Sequence, residues 1–159
     1  MTSATDIHVR EPGLVAGIWQ NLVVFHWRGS SNVATMQRAV SVLASAAGPR
    51  GDRRFGVLTI VNGSSITLPD AKMKEALESG RRYDANKIAE VAVLETTGLV
   101  SAALRALIAT ASTLRRASFP YHTAGTVRDA CDWIAPMLNA DEVLLFRAVQ
   151  HVIAQQAAD

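Results

Sequence analysis

Phe55-Gly56-Val57-Leu58-Thr59-Ile60-Val61 runs apolar without a break and without a charge. A strand with one wet face alternates apolar and polar residues, whereas a strand covered on both faces has no need to. The run therefore reads as a central strand in a sheet with a parallel portion. Ile88 to Leu94 reads as the next strand, with Ala92-Val93-Leu94 as its buried centre. Together they predict adjacent central strands over Phe55–Val61 and Ala89–Leu94, with helices on either side of the sheet or stacked on one side.

Upstream, Val33, Met36, Val40, Leu43 and Ala47 recur at helical spacing, with Gln37, Arg38 and Ser45 turned outward. Gly29-Ser30-Ser31-Asn32 supplies turn and cap residues before this helix, and Gly48-Pro49 stops it. Leu14–Trp19 and Leu22–Trp27 are separated by Gln20-Asn21, a spacing suited to a hairpin. In the second run Val23, Phe25 and Trp27 share the face expected on the core, and Val24, His26 and Arg28 share a more mixed, partly solvated face. The start of the chain reads as loose, with a short strand at most over Ile7 to Arg10.

Downstream, Pro69 suits the first position of a second helix with a buried stripe of Met73, Ala76, Leu77, Gly80 and Tyr83. Gly80 weakens that helix by roughly 1 kcal/mol relative to Ala, and is a place for a break or a close contact. Thr97-Gly98 leads into a helix from Leu99 to about Arg116, thin with alanine and apolar nearly all round, hence covered on more than one side. Pro120 to Ala124 is a short strand. Thr126 is a good N-cap, with Asp129 three residues on, for a helix burying Val127, Ala130, Cys131, Ile134 and Leu138. Pro136 ends or kinks it. Asn139 is expected to cap a last helix that opens with Asp141 and Glu142 and carries an apolar band of Leu145, Phe146, Val149, Val152 and Ile153.

The fold class is α/β: one mixed sheet of about five strands, an opening hairpin and then a parallel part, packed with about five helices and right-handed crossovers. A flexible segment over residues 1–12 precedes the α/β domain over 13–138. A C-terminal helix over 139–159 packs on that domain or on a partner.

A chain of 159 residues fits one domain and buries roughly two thirds of the surface its unfolded form exposes. With 49% hydrophobic and 19% charged residues it is too apolar for a disordered chain, yet no apolar run approaches a membrane span. Cys131 is the one cysteine, and Thr2 to Arg10 does not resemble a signal peptide; both point to the cytoplasm. The net charge of +2 is a mild excess that does not mark a dedicated nucleic-acid binder.

This order of elements, with Glu95-Thr96-Thr97-Gly98-Leu99, Ala103-Leu104-Arg105, Phe119-Pro120 and Ala130-Cys131-Asp132-Trp133-Ile134, resembles the STAS domain and a broad set of bacterial STAS-like proteins over about Leu14 to Leu138. The fold belongs to anti-sigma-factor antagonists and sulphate-transporter tails. The resemblance implies a regulatory module, with a switch after the third strand at a motif of Asp, Ser, Ser or Thr, then Gly, where the Ser is phosphorylated. Here the stretch reads Asn62-Gly63-Ser64-Ser65, without the aspartate and with the glycine first.

No phosphate loop, nucleophile elbow or metalloprotease motif occurs, and His8, His26, His122 and His151 lack metal-ligand spacing. No catalytic residue, metal or cofactor is assigned. Cys131 falls in a core stripe, and Arg50-Gly51-Asp52 matches an integrin-binding tripeptide by chance. Two constellations remain. The strand-to-helix edge of a parallel sheet collects Ser64, Ser65, Thr67, Thr96, Thr97 and Thr126, beside helix N-termini where such sheets bind ligands; these residues are ligand or phospho-switch candidates, or plain caps. The opposite edge collects Arg50, Arg53, Arg54, Arg81, Arg82, Lys87, Arg115 and Arg116, a basic rim. Its plain reading is cations complementing helix C-termini, with Asp52, Asp84 and Glu90 partly neutralising them. The function expected is a non-enzymatic regulatory or scaffolding module acting by protein–protein contact, with a small anionic ligand or lipid at the hydroxyl-rich edge as the alternative. A protein partner is expected ahead of nucleic acid or a membrane surface. The thin helix and the broad band of the last helix predict a homo-oligomer with that last helix near the interface.

Overall fold

A computed structural model of the chain describes residues 4–29, 32–62, 70–95, 102, 106 and 118–155. Six strands form one sheet in sequence order: β1 (Asp6–Glu11), β2 (Leu14–Trp19), β3 (Leu22–Arg28), β4 (Phe55–Asn62), β5 (Lys87–Glu95) and β6 (Tyr121–Ala124). The first three are antiparallel neighbours, and β3 through β6 run parallel. Among the described residues there are four α-helices: α1 (Val33–Ala47), α2 (Ala71–Ser79), α3 (Val127–Ile134) and α4 (Glu142–Ala154). The helix expected over Leu99 to Arg116 lies outside the described residues except for Ala102 and Ala106, both helical.

The central pair is as expected: β4 and β5 are adjacent and parallel, with Leu58 opposite Val91 and Ile60 opposite Val93, and all four side chains are buried. Helices cover both faces. On one, α1 lays Ala39, Val42, Leu43 and Ala47 over Leu14, Val23, Phe25, Phe55 and Val57. On the other, Ala130, Ile134, Leu145, Val149 and Val152 of α3 and α4 cover Val15, Val24, Leu58, Ile60, Val91 and Val93. Two glycines let these helices approach. A Cβ on Gly56 would come within 2.8 Å of Leu138, and one on Gly17 within 3.1 Å of Val152.

Several expectations are corrected. The sheet gains β1, because Val9 finds cover in the α1 core and Arg38 of α1 holds Glu11 in an ion pair; residues 6–11 are thus an edge strand, longer than the short strand expected over Ile7 to Arg10. The second face of β3 is not solvated: β3 lies inside the sheet, Val24 packs in the core under α4, and His26 is buried as well. Asp70 caps α2, accepting the Met73 amide at 2.8 Å, and Pro69 lies outside the described residues. Leu77 is 40% exposed because α2 stops at Ser79 and a 3-10 turn, Gly80–Asn86, takes the chain onward at a different pitch. Gly80 is that junction and sits against Val40 and Leu43. Asn139 does not cap the last helix. It adopts a left-handed conformation (φ 52°) after the Pro136–Leu138 turn, and Asp141 caps α4 through the Leu144 amide. The apolar band of α4 is buried within its own chain at Leu145, Val149 and Val152, with Phe146 and Ile153 packed beside it. Among the described residues, no helix is long and apolar enough to cross a membrane.

Candidate functional site

The parallel strands give the sheet two chemically different edges. At their C-terminal ends Arg28, Asn62 and Glu95 sit side by side in register. Ser64, Ser65, Thr67, Thr96 and Thr97 lie outside the described residues. Thr126 is a cap, its Oγ1 accepting the Asp129 amide at 3.1 Å. One residue at this edge was expected on a partly solvated face and not in a site. His26 lies two positions before Arg28 on the same face and is 4% exposed, and its Nδ1 has no hydrogen-bond partner among the described residues. Burial first, and then the neighbouring Arg28 charge, push its pKa below the ordinary histidine value. Its place between β2 and β4, and not its own local pattern, is the signal that it would be covered. His122 is separated from it by β4 and β5 and stacks on Trp133 with ring centroids 5.0 Å apart.

The opposite edge carries the basic rim. Arg50 follows α1 in a tight turn, Arg53 and Arg54 lead into β4, and Arg81 and Arg82 lie in the 3-10 turn that leads into β5; all five are exposed. Arg115 and Arg116 lie outside the described residues. The two segments are joined by one side chain. Asn86, buried to 9% exposure, donates from Nδ2 to the carbonyls of Gly51 and Arg53 at 2.8 and 2.9 Å. Arg50-Gly51-Asp52 is therefore part of a clamped turn, with Gly51 at positive φ (66°). Arg53 lays its stem against Gly48, at the C-terminal end of α1, as the dipole reading expects. Arg81 pairs with Glu78 at 2.8 Å, and Arg82 sits 5.0 Å from the centroid of the Tyr83 ring.

Beneath this rim Lys87 opens β5 and is itself buried. Its Nζ lies 3.1 Å from Asp84 Oδ1 and 2.9 Å from Glu90 Oε2, with the Phe119 ring 5.0 Å away. Only the Glu90 contact has hydrogen-bond geometry; Asp84 Oδ1 is held by charge alone. Two of the carboxylates expected to neutralise the rim are thus turned inward onto Lys87.

The remaining reactive side chains have local roles. Cys131 is fully buried in the α3 core, and burial pushes its thiol up to about 12. His8 lies 3.3 Å from Asp6, and His151 lies 3.4 Å from Gln155. Among the described residues, no group of three His, Cys, Asp or Glu side chains is placed to hold a metal ion. Compared with family models, curated proteins and solved structures, the chain has no match in any of the three.

Proposed function

We propose that the chain is a regulatory or scaffolding module that works by protein–protein contact, a STAS-like domain acting in the cytoplasm without catalysis of its own. The observation that carries this reading is the Asn86 clamp. It fixes two exposed, arginine-bearing segments as one surface, while Lys87 and Cys131, the groups best suited to chemistry, are buried in structural roles. A fixed charged surface over a closed interior suits recognition better than turnover. Cross-linking in the native cell tests it: a protein partner recovered in stoichiometric amount supports the proposal, and recovery of the chain alone or with only a small molecule refutes it. Self-association belongs to the same proposal. With the α4 band covered by its own sheet, its remaining surface near that helix is the exposed Val143 and Met137, and sedimentation at rising concentration tests it.

A second reading, a small anionic ligand or lipid held at the C-terminal edge, is favoured by His26 Nδ1, buried near Arg28 and without a hydrogen-bond partner among the described residues. Buried polar atoms are ordinarily paired, and each exception calls for a cause. Native mass spectrometry of the purified protein separates the readings, because a retained ligand is expected only under the second.

A further inference from the structure

The basic rim differs from what its sequence suggests. Over residues 50–54 and 80–90 the chain has six cations and three carboxylates, against a net charge of only +2 for the whole chain. Half-buried Asp84 and Glu90 both face Lys87, in a unit that carries one net negative charge below the surface. Arg81 is matched by Glu78, and Arg53 is partly used at the end of α1. Arg50, Arg54 and Arg82 remain. They are exposed and make no ion pair among the described residues, and Asp52 is the single carboxylate within their own segments that is not turned onto Lys87.

Resting on the protein-contact reading above, we propose that this rim is the contact surface and that its partner is an acidic polypeptide segment. Three features suit an anionic partner, which under the protein-contact reading is a run of carboxylates. Every exposed cation of the rim is arginine, whose planar fork binds carboxylate in a bidentate way that lysine does not. The rim already holds one carboxylate within the chain, through a single contact of Arg81 with Glu78 at 2.8 Å. And Asn86 holds the 50–54 turn against the 80–86 turn, so the arginines are arranged before the partner arrives and less ordering entropy opposes binding. Nucleic acid fits less well, because a duplex presents a continuous run of phosphates and Asp52 interrupts the rim. A membrane surface is left to the vesicle arm of the test, because the exposed Leu77 lies four residues before Arg81 and Met137 belongs to the turn that packs Leu138 against Gly56.

The test is fluorescence anisotropy with three probes at low salt: a labelled polyglutamate peptide, a labelled DNA duplex, and vesicles of phosphatidylserine and phosphatidylcholine. The full chain is compared with the Arg50→Glu/Arg54→Glu/Arg82→Glu variant, with the milder triple Arg→Gln variant, and with Arg147→Glu on the exposed side of α4 as control. The Gln variant keeps the test decisive if the Glu variant misfolds. Saturable peptide binding, weakened about tenfold or more by the triple change and untouched by Arg147→Glu, supports the proposal. Absence of peptide binding, equal binding by wild type and triple variant, or tighter arginine-dependent binding to DNA or vesicles overturns it. If a protein partner is still cross-linked in cells to the triple variant, the rim is overturned while the protein-contact reading stands. If no protein is cross-linked to any form, both fall.

Discussion

Asn86→Ala isolates the geometry of the rim from its charge. The substitution removes two hydrogen bonds, at 2.8 and 2.9 Å, from a residue only 9% exposed. Each intramolecular hydrogen bond is worth about 0.5–1.5 kcal/mol net, so the pair contributes about 1–3 kcal/mol. Gly51 and Arg53 lie in an exposed turn, where water can satisfy the released carbonyls, and this favours the lower half of that range. A domain of this size loses about 2–4 °C of Tm per kcal/mol, giving an expected fall of about 2–8 °C. Asn86→Asp should cost more, because it sets a carboxylate against two carbonyl oxygens that want a donor. Urea unfolding with an unchanged slope is the assay. The same variant keeps every rim arginine, so weaker polyglutamate binding would report lost arrangement and not lost charge. Stability within about 0.5 kcal/mol of wild type, or an Asp variant more stable than the Ala variant, would refute the clamp.

Burial lowers the His26 pKa in the fold, so as pH falls the unfolded chain takes up a proton before the folded chain does. Stability should fall as pH drops below the ordinary histidine value near 6.5, and His26→Leu should flatten that slope in urea titrations at pH 5 to 8; a variant with the wild-type slope would contradict the assignment. Gly56→Ala puts a methyl within 2.8 Å of Leu138 and should cost about 1–3 kcal/mol, a loss that additional Leu138→Ala partly relieves in a double-mutant cycle. Additivity of the two changes would mean that the contact does not matter. Cys131, with its thiol raised to about 12 and fully buried, should resist iodoacetamide at pH 8 in the folded protein and react once it is unfolded in urea; fast labelling of the native state would show an accessible thiol. Above pH 9 the unfolded thiol ionises first, so this residue's contribution to stability should be lost progressively from pH 9 toward 12.

The parts of the fold that were legible in the sequence are those set by local period. Phe55 to Val61 declared a central strand by carrying no charge, Ala89 to Leu94 did so through its Ala92-Val93-Leu94 centre, and Thr126 declared a cap by its type and place. What escaped depends on neighbours distant in the chain. His26 looked half-solvated because Arg28 shares its face, and only the sheet order shows that it lies inside the sheet, where it is buried. Leu77 continued a helical stripe that the chain abandons two residues later for a tighter turn. The arginines of the rim were visible, but their arrangement was not. Asn86 acts on carbonyls 35 and 33 residues away, a contact with no sequence signature. Asp84 and Glu90 looked like neutralisers of the rim because their side-chain direction toward Lys87 cannot be read from spacing.

Site-specific photo-cross-linking in the native cell tests the account most directly, with the cross-linker placed at Arg54, at Arg82, or at the exposed Gln150 of α4 as control. The account predicts one protein captured from both rim positions and not from Gln150, with the cross-linked peptide rich in aspartate and glutamate. Capture from Gln150 as readily as from the rim, capture of a peptide with no acidic run, or no protein adduct from either rim position would contradict it.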